Sequence, residues 1–477
     1  MPTPPSSSRP KTDTFAAQPA PWPEDLQPAL QAAAHGGNRR LVVLDDDPTG
    51  TQTVYDIPVV TEWSESTLTA ELEGTAPGFY VLTNSRSLAP TATAALHRQL
   101  AKNLQAASAR TGVGVSLVSR SDSTLRGHYP LETDTLDATL GPYDGCVLMP
   151  YFEAGGRFTL DSTHYVAEGD ALVPAANTPF ARDATFGYSH SYLPDWIEEK
   201  TAGRVPGSRV QRITLDLIRR GGPDAVLAQL LELKHGEVAV CDALAPRDAE
   251  VVALASLRAE AKGRRLLYRT AASFVAARLS LAPRPLLTAA DFDLGNSDAG
   301  GLIVVGSYVP KTTVQVDALL RDHPDHHLLT LSVPGVLDAD RRFFTVTSLI
   351  EQVNAHLGAG ESVVVCTSRD VVTGKNASES LAIVNLVSDA LIAVIASLEV
   401  RPRSLIAKGG ITSSDIATRA LGVRRAIVRG QLLPGVPVWR LGEEARFPGL
   451  DYVIFPGNVG GDDALSAAAS RLQPAQP

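Results

Sequence analysis

Leu41-Val42-Val43-Leu44-Asp45-Asp46-Asp47-Pro48-Thr49-Gly50 is the stretch that decides how the chain is read. Its apolar run, with two β-branched residues at the centre, has the pattern of a strand buried on both faces of a parallel sheet. The run ends in three carboxylates, and Pro48 and Gly50 turn the chain directly after them. Open α/β sheets bind ligands at the carboxyl ends of their strands. Adjacent carboxylates at such a place repel one another unless cations or hydrogen-bond donors face them. Strand-end acids of this kind cluster at functional sites; a solvated turn is the competing reading.

Outward from this strand, the pattern alternates between strand and helix. Residues 79–83 read as a strand that ends in Asn84-Ser85-Arg86-Ser87, and residues 91–109 as a helix. A strand over 113–118 leads into Arg120-Ser121-Asp122-Ser123-Thr124-Leu125-Arg126-Gly127, and another covers 145–149. Residues 238–243 and 266–267 continue the rhythm, while 150–207 reads as a long loop-rich insertion, the kind of segment that often forms a lid. Residues 1–22, rich in Pro, Ser, Thr and Ala, are expected to be disordered, and 24–35 to form a short lead-in helix.

Around Ala282-Pro283-Arg284-Pro285 the pattern breaks, and the stretch from 280 to 300 is the expected domain boundary. The second half starts afresh with a strand over 301–305, Gly306-Ser307, and a helix opening near Pro310. Strands are expected at 361–366, 405–407 and 452–455, with the last two running into Gly-rich turns. The reading is therefore α/β: two α/β domains with mostly parallel sheets and an interdomain active-site cleft. The expected limits are an extension over 1–40, a first domain over 41–280 and a second over 300–470.

A length of 477 residues is too great for one ordinary core, in keeping with this division. A chain that is 44% hydrophobic and 20% charged is that of a soluble globular protein. Its net charge of −9 argues against a broad nucleic-acid surface but leaves room for a local basic pocket. Cys146, Cys241 and Cys366 lie far apart without a CxxC, so neither a disulfide framework nor a structural zinc site is expected. No signal peptide is visible, and the apolar stretch 381–398 carries Asn385, Ser388 and Asp389, which suits a buried helix better than a membrane span. A cytoplasmic location follows. The ten histidines show no obvious metal-ligand spacing, and no Walker motif, protein-kinase set or HExxH is present.

Two stretches carry recognisable chemistry. Lys408-Gly409-Gly410-Ile411-Thr412-Ser413-Ser414-Asp415 puts glycines, helix-capping hydroxyls and a lysine where a helix begins, as phosphate binding requires. Similar turns stand at Gly306-Ser307 and at Gly457 to Gly461. Arg120 to Gly127 combines two guanidiniums, a carboxylate and three hydroxyls in one loop after a strand. Arginine forks match carboxylates in paired bonds, and Asp122 and the hydroxyls suit sugar-type hydroxyl groups. Arg86, at the end of the preceding strand, is expected to reach the same cleft. For each stretch an ordinary capped or solvated turn is the alternative.

These motifs resemble those of the four-carbon acid sugar kinases. The family's Asp-Asp-x-Thr-Gly turn stands at Asp46 to Gly50, its Asp-Ser-Thr-Leu-Arg-Gly stretch at Asp122 to Gly127, and its Asn-Ser-Arg at Asn84 to Arg86. The second half matches at Gly306-Ser307, at Lys408-Gly409-Gly410-x-Thr412-Ser413 and at Pro456-Gly457-Asn458. The resemblance covers nearly everything from 41 to about 468. It departs at Pro48, where a bulky apolar residue is usual, at Thr51-Gln52-Thr53, at Arg120, where Lys is common, and at Gly457-Asn458.

The resemblance implies an ATP-dependent kinase that phosphorylates a hydroxyl of a short sugar acid: threonate, erythronate, 2-oxo-tetronate or the branched 3-oxo-isoapionate. It implies Asp47 as base or hydroxyl-orienting group, with Asp46 as its neighbour or as a magnesium-linked carboxylate. Arg86, Arg120 and Arg126 are expected to hold the substrate carboxylate, and Asp122 and Ser123 its hydroxyls. Ser307, Lys408, Gly409, Gly410, Thr412, Gly457 and Asn458 are expected around ATP, with Mg2+ on chemical grounds. Neither nucleic acid nor membrane is an expected partner; metal ligands and oligomeric state stay open, a homodimer included. The alternative from another class is a non-catalytic regulatory protein that binds sugar acid and nucleotide on the same fold.

Overall fold

Arg39–Asp45 forms the strand on which the first half is built, and its apolar residues are buried on both faces. The computed structural model describes residues 7–294, 298–306, 310–368, 377–457 and 459–473. The chain divides into two compact units, Met1–Pro283 and Arg284–Pro477, and the division falls inside the proline-containing stretch.

In the main sheet of the first unit the strands are all parallel. They run in the order Gln211–Ile213, Val238–Cys241, Gly145–Met149, Leu266–Thr270, Gly114–Arg120, Arg39–Asp45, Gly78–Leu82, Ile57–Val60. Arg39–Asp45 lies between Gly78–Leu82 and Gly114–Arg120, with Asp45 level with Leu82 on one side and Arg120 on the other. From it the chain proceeds first to one side and then to the other, so its carboxyl end is a topological switch point. Helix Pro90–Thr111 covers one face, packing Leu100 and Leu104 against Val42, Leu44, Phe79 and Val81.

Two expectations fail in this unit. Residues 7–22 are ordered rather than disordered. Arg9–Pro10 pairs antiparallel with Ala171–Pro174, Phe15 meets Phe158 edge-on at 5.0 Å, and the Pro19 carbonyl accepts from Arg219 Nη1 at 2.7 Å. Gly222, at φ 64°, leaves the room that the Trp22 ring fills. The composition reads as disordered, but sparse aromatics are enough when a folded surface receives them.

The stretch 150–207 is likewise no loose loop. Arg157–Leu160, Thr163–Glu168 and Ala171–Pro174 form a small antiparallel sheet, followed by helix Leu193–Lys200, whose Trp196 and Ile197 are buried. The helix expected over 24–35 forms as Gln27–His35.

In the second unit the strand order is Arg425–Leu433, Val436–Leu441, Asp451–Phe455, Leu405–Lys408, Leu302–Val305, Val363–Thr367, His327–Leu331. The last five are mutually parallel, while Val436–Leu441 runs antiparallel to both its neighbours. Leu302–Val305 lies between Leu405–Lys408 and Val363–Thr367, and its carboxyl end is the second switch point. The core joins Ile303, Val305, Ile406, Val453 and Phe455 to Leu319 and Leu465 from two flanking helices. The apolar stretch expected as a buried helix is helix Ala377–Ala396, but its described residues are buried only toward its end, from Ala390 to Ile395, while Ala382, Val384 and Asn385 are exposed; among the described residues no helix is long and apolar enough to cross a membrane.

Candidate functional site

At the first switch point three loops are knitted by their backbones. The Asp45 carbonyl accepts from Thr83 N at 2.8 Å, the Asp46 carbonyl from Arg86 N at 3.4 Å, and Asp46 N donates to the Arg120 carbonyl at 3.4 Å. Asp45, Asp46 and Asp47 are thereby placed beside Arg86 and the Arg120 to Gly127 loop.

The three carboxylates differ sharply. Asp46 is 1% exposed; it accepts from Arg86 Nε at 3.1 Å, Arg86 Nη2 at 2.7 Å and Arg120 Nη1 at 3.1 Å. Asp45 accepts from the same Arg120 Nη1 at 2.9 Å. Burial pushes its carboxyl up to about 8 against the pull of Arg120, with Asp46 and Asp47 adding to the rise. A protonated Asp45 relieves the repulsion expected of adjacent acids: Asp46, Asp47 and Asp122 then face Arg86, Arg120 and Arg126. Gly50 packs straight onto this carboxyl, for a Cβ there would lie 2.1 Å from Asp45 Oδ1.

Asp47 begins the short turn Pro48–Thr51 and caps it, accepting from Thr49 N at 2.8 Å and Thr49 Oγ1 at 2.5 Å. Its other oxygen lies 3.7 Å from Arg86 Nη1, and its side chain is 17% exposed, against 2% for that of Asp46. Burial would raise its pKa, but Arg86, the Thr49 bonds and Arg120 outweigh it and hold the carboxyl below its usual range. Asp47 is thus the ionised, reachable member of the run.

The arginines also separate. Arg120 is 3% exposed and spans Asp45 and Asp46, so it braces the strand ends and has no open face for a ligand. Arg86 and Arg126 keep side-chain exposures of 20% and 24%. Arg126 donates from Nε to Asp122 Oδ2 at 2.6 Å, lies 3.6 Å from Asp183 and sits 5.1 Å over the Phe180 ring. Burial would raise the Asp122 carboxyl; Arg86, Arg126 and the Thr124 hydroxyl hold it well below its usual range. Ser123 is buried, and its carbonyl accepts from His164 Nε2 at 2.7 Å.

The rigidity of this loop comes from the stretch expected to be a lid. Tyr188 donates its hydroxyl to the Thr124 carbonyl at 2.7 Å, next to the bond from His164. Burial lowers the His164 pKa to about 4, so the ring is neutral at ordinary pH, its Nδ1 taking the Thr159 hydroxyl at 3.0 Å. Leu125 holds φ 69°, a strained value for a branched side chain, and is retained because that side chain is buried beside Tyr129 and Trp196. Gly127, at φ 124°, comes within Cβ reach of Arg269 Nη2 at 3.0 Å and Asp46 Oδ2 at 3.2 Å.

Sequence reasoning missed Glu132 and Arg269 beneath these loops. Arg269 Nη1 donates to Glu132 Oε2 and, at 2.7 Å, to Ser119 Oγ; Glu132 also accepts from Ser85 Oγ at 2.6 Å. Arg269, in the run Leu266-Leu267-Tyr268-Arg269-Thr270, was legible as a charge inside an otherwise apolar strand.

In the second unit Val305 is level with Lys408 and Lys408 with Phe455, so Gly306, Gly409 and Pro456 leave adjacent parallel strands at one level. A Cβ on Gly306 would lie 2.2 Å from Thr412 Oγ1, which places Gly306 directly against Thr412. Gly409, at φ 117°, donates its N–H to the Phe455 carbonyl at 2.9 Å, and its own carbonyl accepts from Ser413 N at 2.8 Å. Gly410 opens helix Gly410–Asp415. Lys408 is fully buried, with Nζ 4.2 Å from the Phe455 ring centroid and 3.4 Å from the Pro456 carbonyl. Burial, then Lys311, lowers its pKa to about 7. Gln315, also missed by sequence reasoning, holds the turn after Gly457 by donating to the Val459 and Gly461 carbonyls at 3.1 and 2.6 Å. Ser307 and Asn458 lie outside the described residues.

A family model described as a sugar-binding N-terminal domain matches residues 41–278, and one described as a nucleotide-binding C-terminal domain matches 302–465. Among solved structures, the chain is similar to a Salmonella typhimurium LT2 protein provisionally named a tRNA synthase. The identity is 17% and the TM-score 0.64, over 91% of this chain and 99% of that one. It is also similar to a Haemophilus influenzae protein of the DUF1537 family, at 18% identity and a TM-score of 0.60, over 91% of this chain and 100% of that one. Both likenesses concern the fold. No curated protein matches the chain closely enough to count as a relative.

Proposed function

This chain belongs to the four-carbon acid sugar kinase family, and we propose that it transfers the terminal phosphoryl group of ATP to a hydroxyl of a four-carbon or branched five-carbon sugar acid. The observation that carries the reading is the set of partly exposed charges around Asp47. One ionised carboxylate stands there with two partly exposed guanidiniums, Arg86 and Arg126, in the unit matched by the sugar-binding model.

Arg86 and Arg126 bind the substrate carboxylate, each already oriented by an aspartate. Asp122 and the Ser123 region face its hydroxyls. Asp47 accepts a hydrogen bond from the attacking hydroxyl and fixes its direction. A carboxylate held below its usual range is a weak base, but phosphoryl transfer through a loose transition state asks mainly for positioning and charge stabilisation. Asp46 and Arg120 act one step back, by holding Arg86 and the strand ends.

The turns at Gly306, Gly409-Gly410 and Gly457 take the nucleotide, with backbone N–H groups and Thr412 toward its phosphates. Asp47 is an oxygen donor of the kind Mg2+ takes, and Mg2+ bound with ATP supplies charge neutralisation on the phosphates.

A coupled ADP-release screen over four- and five-carbon aldonic and keto acids with Mg-ATP tests the reading. Turnover with at least one acid is expected. Tight sugar-acid binding without turnover on any of them would favour the non-catalytic alternative.

A further inference from the structure

In the second unit, three metal-type donors converge that neither reading of the site uses. His327 opens strand His327–Leu331, His356 stands in the last turn of helix Ala339–Gly358, and Glu361 precedes strand Val363–Thr367. Their backbones are tied: His327 N donates to the Ser362 carbonyl at 2.8 Å, and Glu361 N to the His356 carbonyl at 3.0 Å. Glu361 Oε2 lies 3.3 Å from His327 Nε2 and 2.5 Å from His356 Nδ1, and the donor atoms all fall within 4.8 Å of one another. The imidazoles stack with centroids 4.2 Å apart and 23° between their planes.

As the side chains stand, each ring can donate one N–H to Glu361 Oε2, as His356 does at 2.5 Å. With the ring protons on the opposite nitrogens, the same three atoms offer two lone pairs and a carboxylate charge, the donor set of a divalent cation. Side-chain exposures of 42%, 30% and 45% let water complete the shell.

We propose that His327 Nε2, His356 Nδ1 and Glu361 form a surface site for a divalent ion of the zinc class, with water in the remaining position. Two nitrogens and one carboxylate suit Zn2+, Co2+ or Ni2+ and not Mg2+. The site stands at the amino ends of its strands, whereas the Gly306 and Gly409 turns follow carboxyl ends, so it is separate from any ion that accompanies ATP.

The neighbouring trio His323, Asp325 and His326 is not such a site, although its donors are also close. His323 spends both ring nitrogens on structure, Nε2 with the Ser466 carbonyl and Ser470 Oγ, and Nδ1 with Gln473 Nε2. The spacing in sequence hid the first trio, because a helix separates His327 from His356.

The test titrates the chelator-treated full chain with Zn2+ alone, by calorimetry in Mg2+-containing buffer, and follows its melting temperature. A single tight ion and a raised melting temperature are expected. His327→Ala and His356→Ala should each weaken binding by roughly 10- to 100-fold or more, since even loss of an outer-shell partner costs that much. His190→Ala is the control: His190 pairs with Glu199 at 2.7 Å without a second histidine, so binding should not change. Melting in metal-free buffer checks that the variants fold. Absence of Zn2+ uptake, uptake that survives both substitutions as an adventitious ion held elsewhere, or displacement by equal Mg2+ would overturn the proposal.

Discussion

Adjacent Asp46 and Asp47 should fail in opposite ways when each is replaced by Asn. Asp46 receives three guanidinium bonds, at 2.7, 3.1 and 3.1 Å, in a site that is 1% exposed. Removing its charge leaves Arg86 and Arg120, the latter 3% exposed, with a neutral partner; Asp45, no longer raised by the Asp46 charge, then ionises more readily and offsets part of the loss at Arg120. Breaking a buried pair costs about 3–5 kcal/mol. The Asn oxygen still accepts one bond, which argues for the low end, about 3 kcal/mol. In a chain of this kind each kcal/mol moves the melting temperature by roughly 2–4 °C, so Asp46→Asn should melt roughly 6–12 °C lower.

Asp47 is 17% exposed in its side chain and caps a short turn. Asn caps about as well as Asp, so Asp47→Asn should melt within roughly 4 °C of the parent. Its kcat should fall by about 10²–10⁴-fold with the sugar acid found by the screen. Thermal melts by circular dichroism and ADP-release rates on the same samples read both effects. Equal melting temperatures for the two variants, or an unchanged kcat in Asp47→Asn, would refute the division of labour between these carboxylates.

Arg126→Lys should raise KM for the sugar acid more than for ATP, because an ammonium cannot make the planar paired contact; steady-state kinetics with each substrate varied would reveal the reverse. Asp45 gives a pH signature. Its folded pKa of about 8 lies above the ordinary 3.8, so the folded chain keeps a proton that the unfolded chain releases. Its contribution is complete below about 3.8 and is lost as pH rises toward about 8. Asp45→Asn should flatten the fall in urea midpoint across that window, and an unaltered slope would remove Asp45 as its source. Lys408, lowered to about 7, should take up a proton when a triphosphate binds at slightly alkaline pH. Calorimetry in buffers of different ionisation heat should detect that uptake in the parent and not in Lys408→Met; equal proton counts would leave Lys408 a structural residue.

The sequence is most legible where burial on both faces writes continuous apolar runs. Gly145–Met149 is found at its expected limits, and Leu302–Val305 and Leu405–Lys408 within a residue of theirs. The hairpin Arg425–Leu433 and Val436–Leu441 escaped notice, although Pro434-Gly435 between alternating strands is a turn signal. Arg120 shows a deeper limit. An arginine that braces carboxylates and one that keeps an open face have the same sequence signature, and only depth separates Arg120 from Arg126. Glu132 and Gln315 are invisible for a related reason, that their partners lie far along the chain, and Arg269 shows only its charge within a strand, not the carboxylate it meets.

The two-residue strand Arg9–Pro10 has a practical side. It lies along the backbone edge of Ala171–Pro174, and Lys11 N adds a bond to the Asp170 carbonyl at 2.6 Å. A protease that nicks the chain between this strand and Trp22 would strip that cover without touching either unit's main sheet. The bared edge would then be a template for another molecule's strand. Clipped material should therefore self-associate while its far-ultraviolet spectrum stays nearly unchanged, and sample history at the amino end becomes a variable to control whenever the size of the particle in solution is measured.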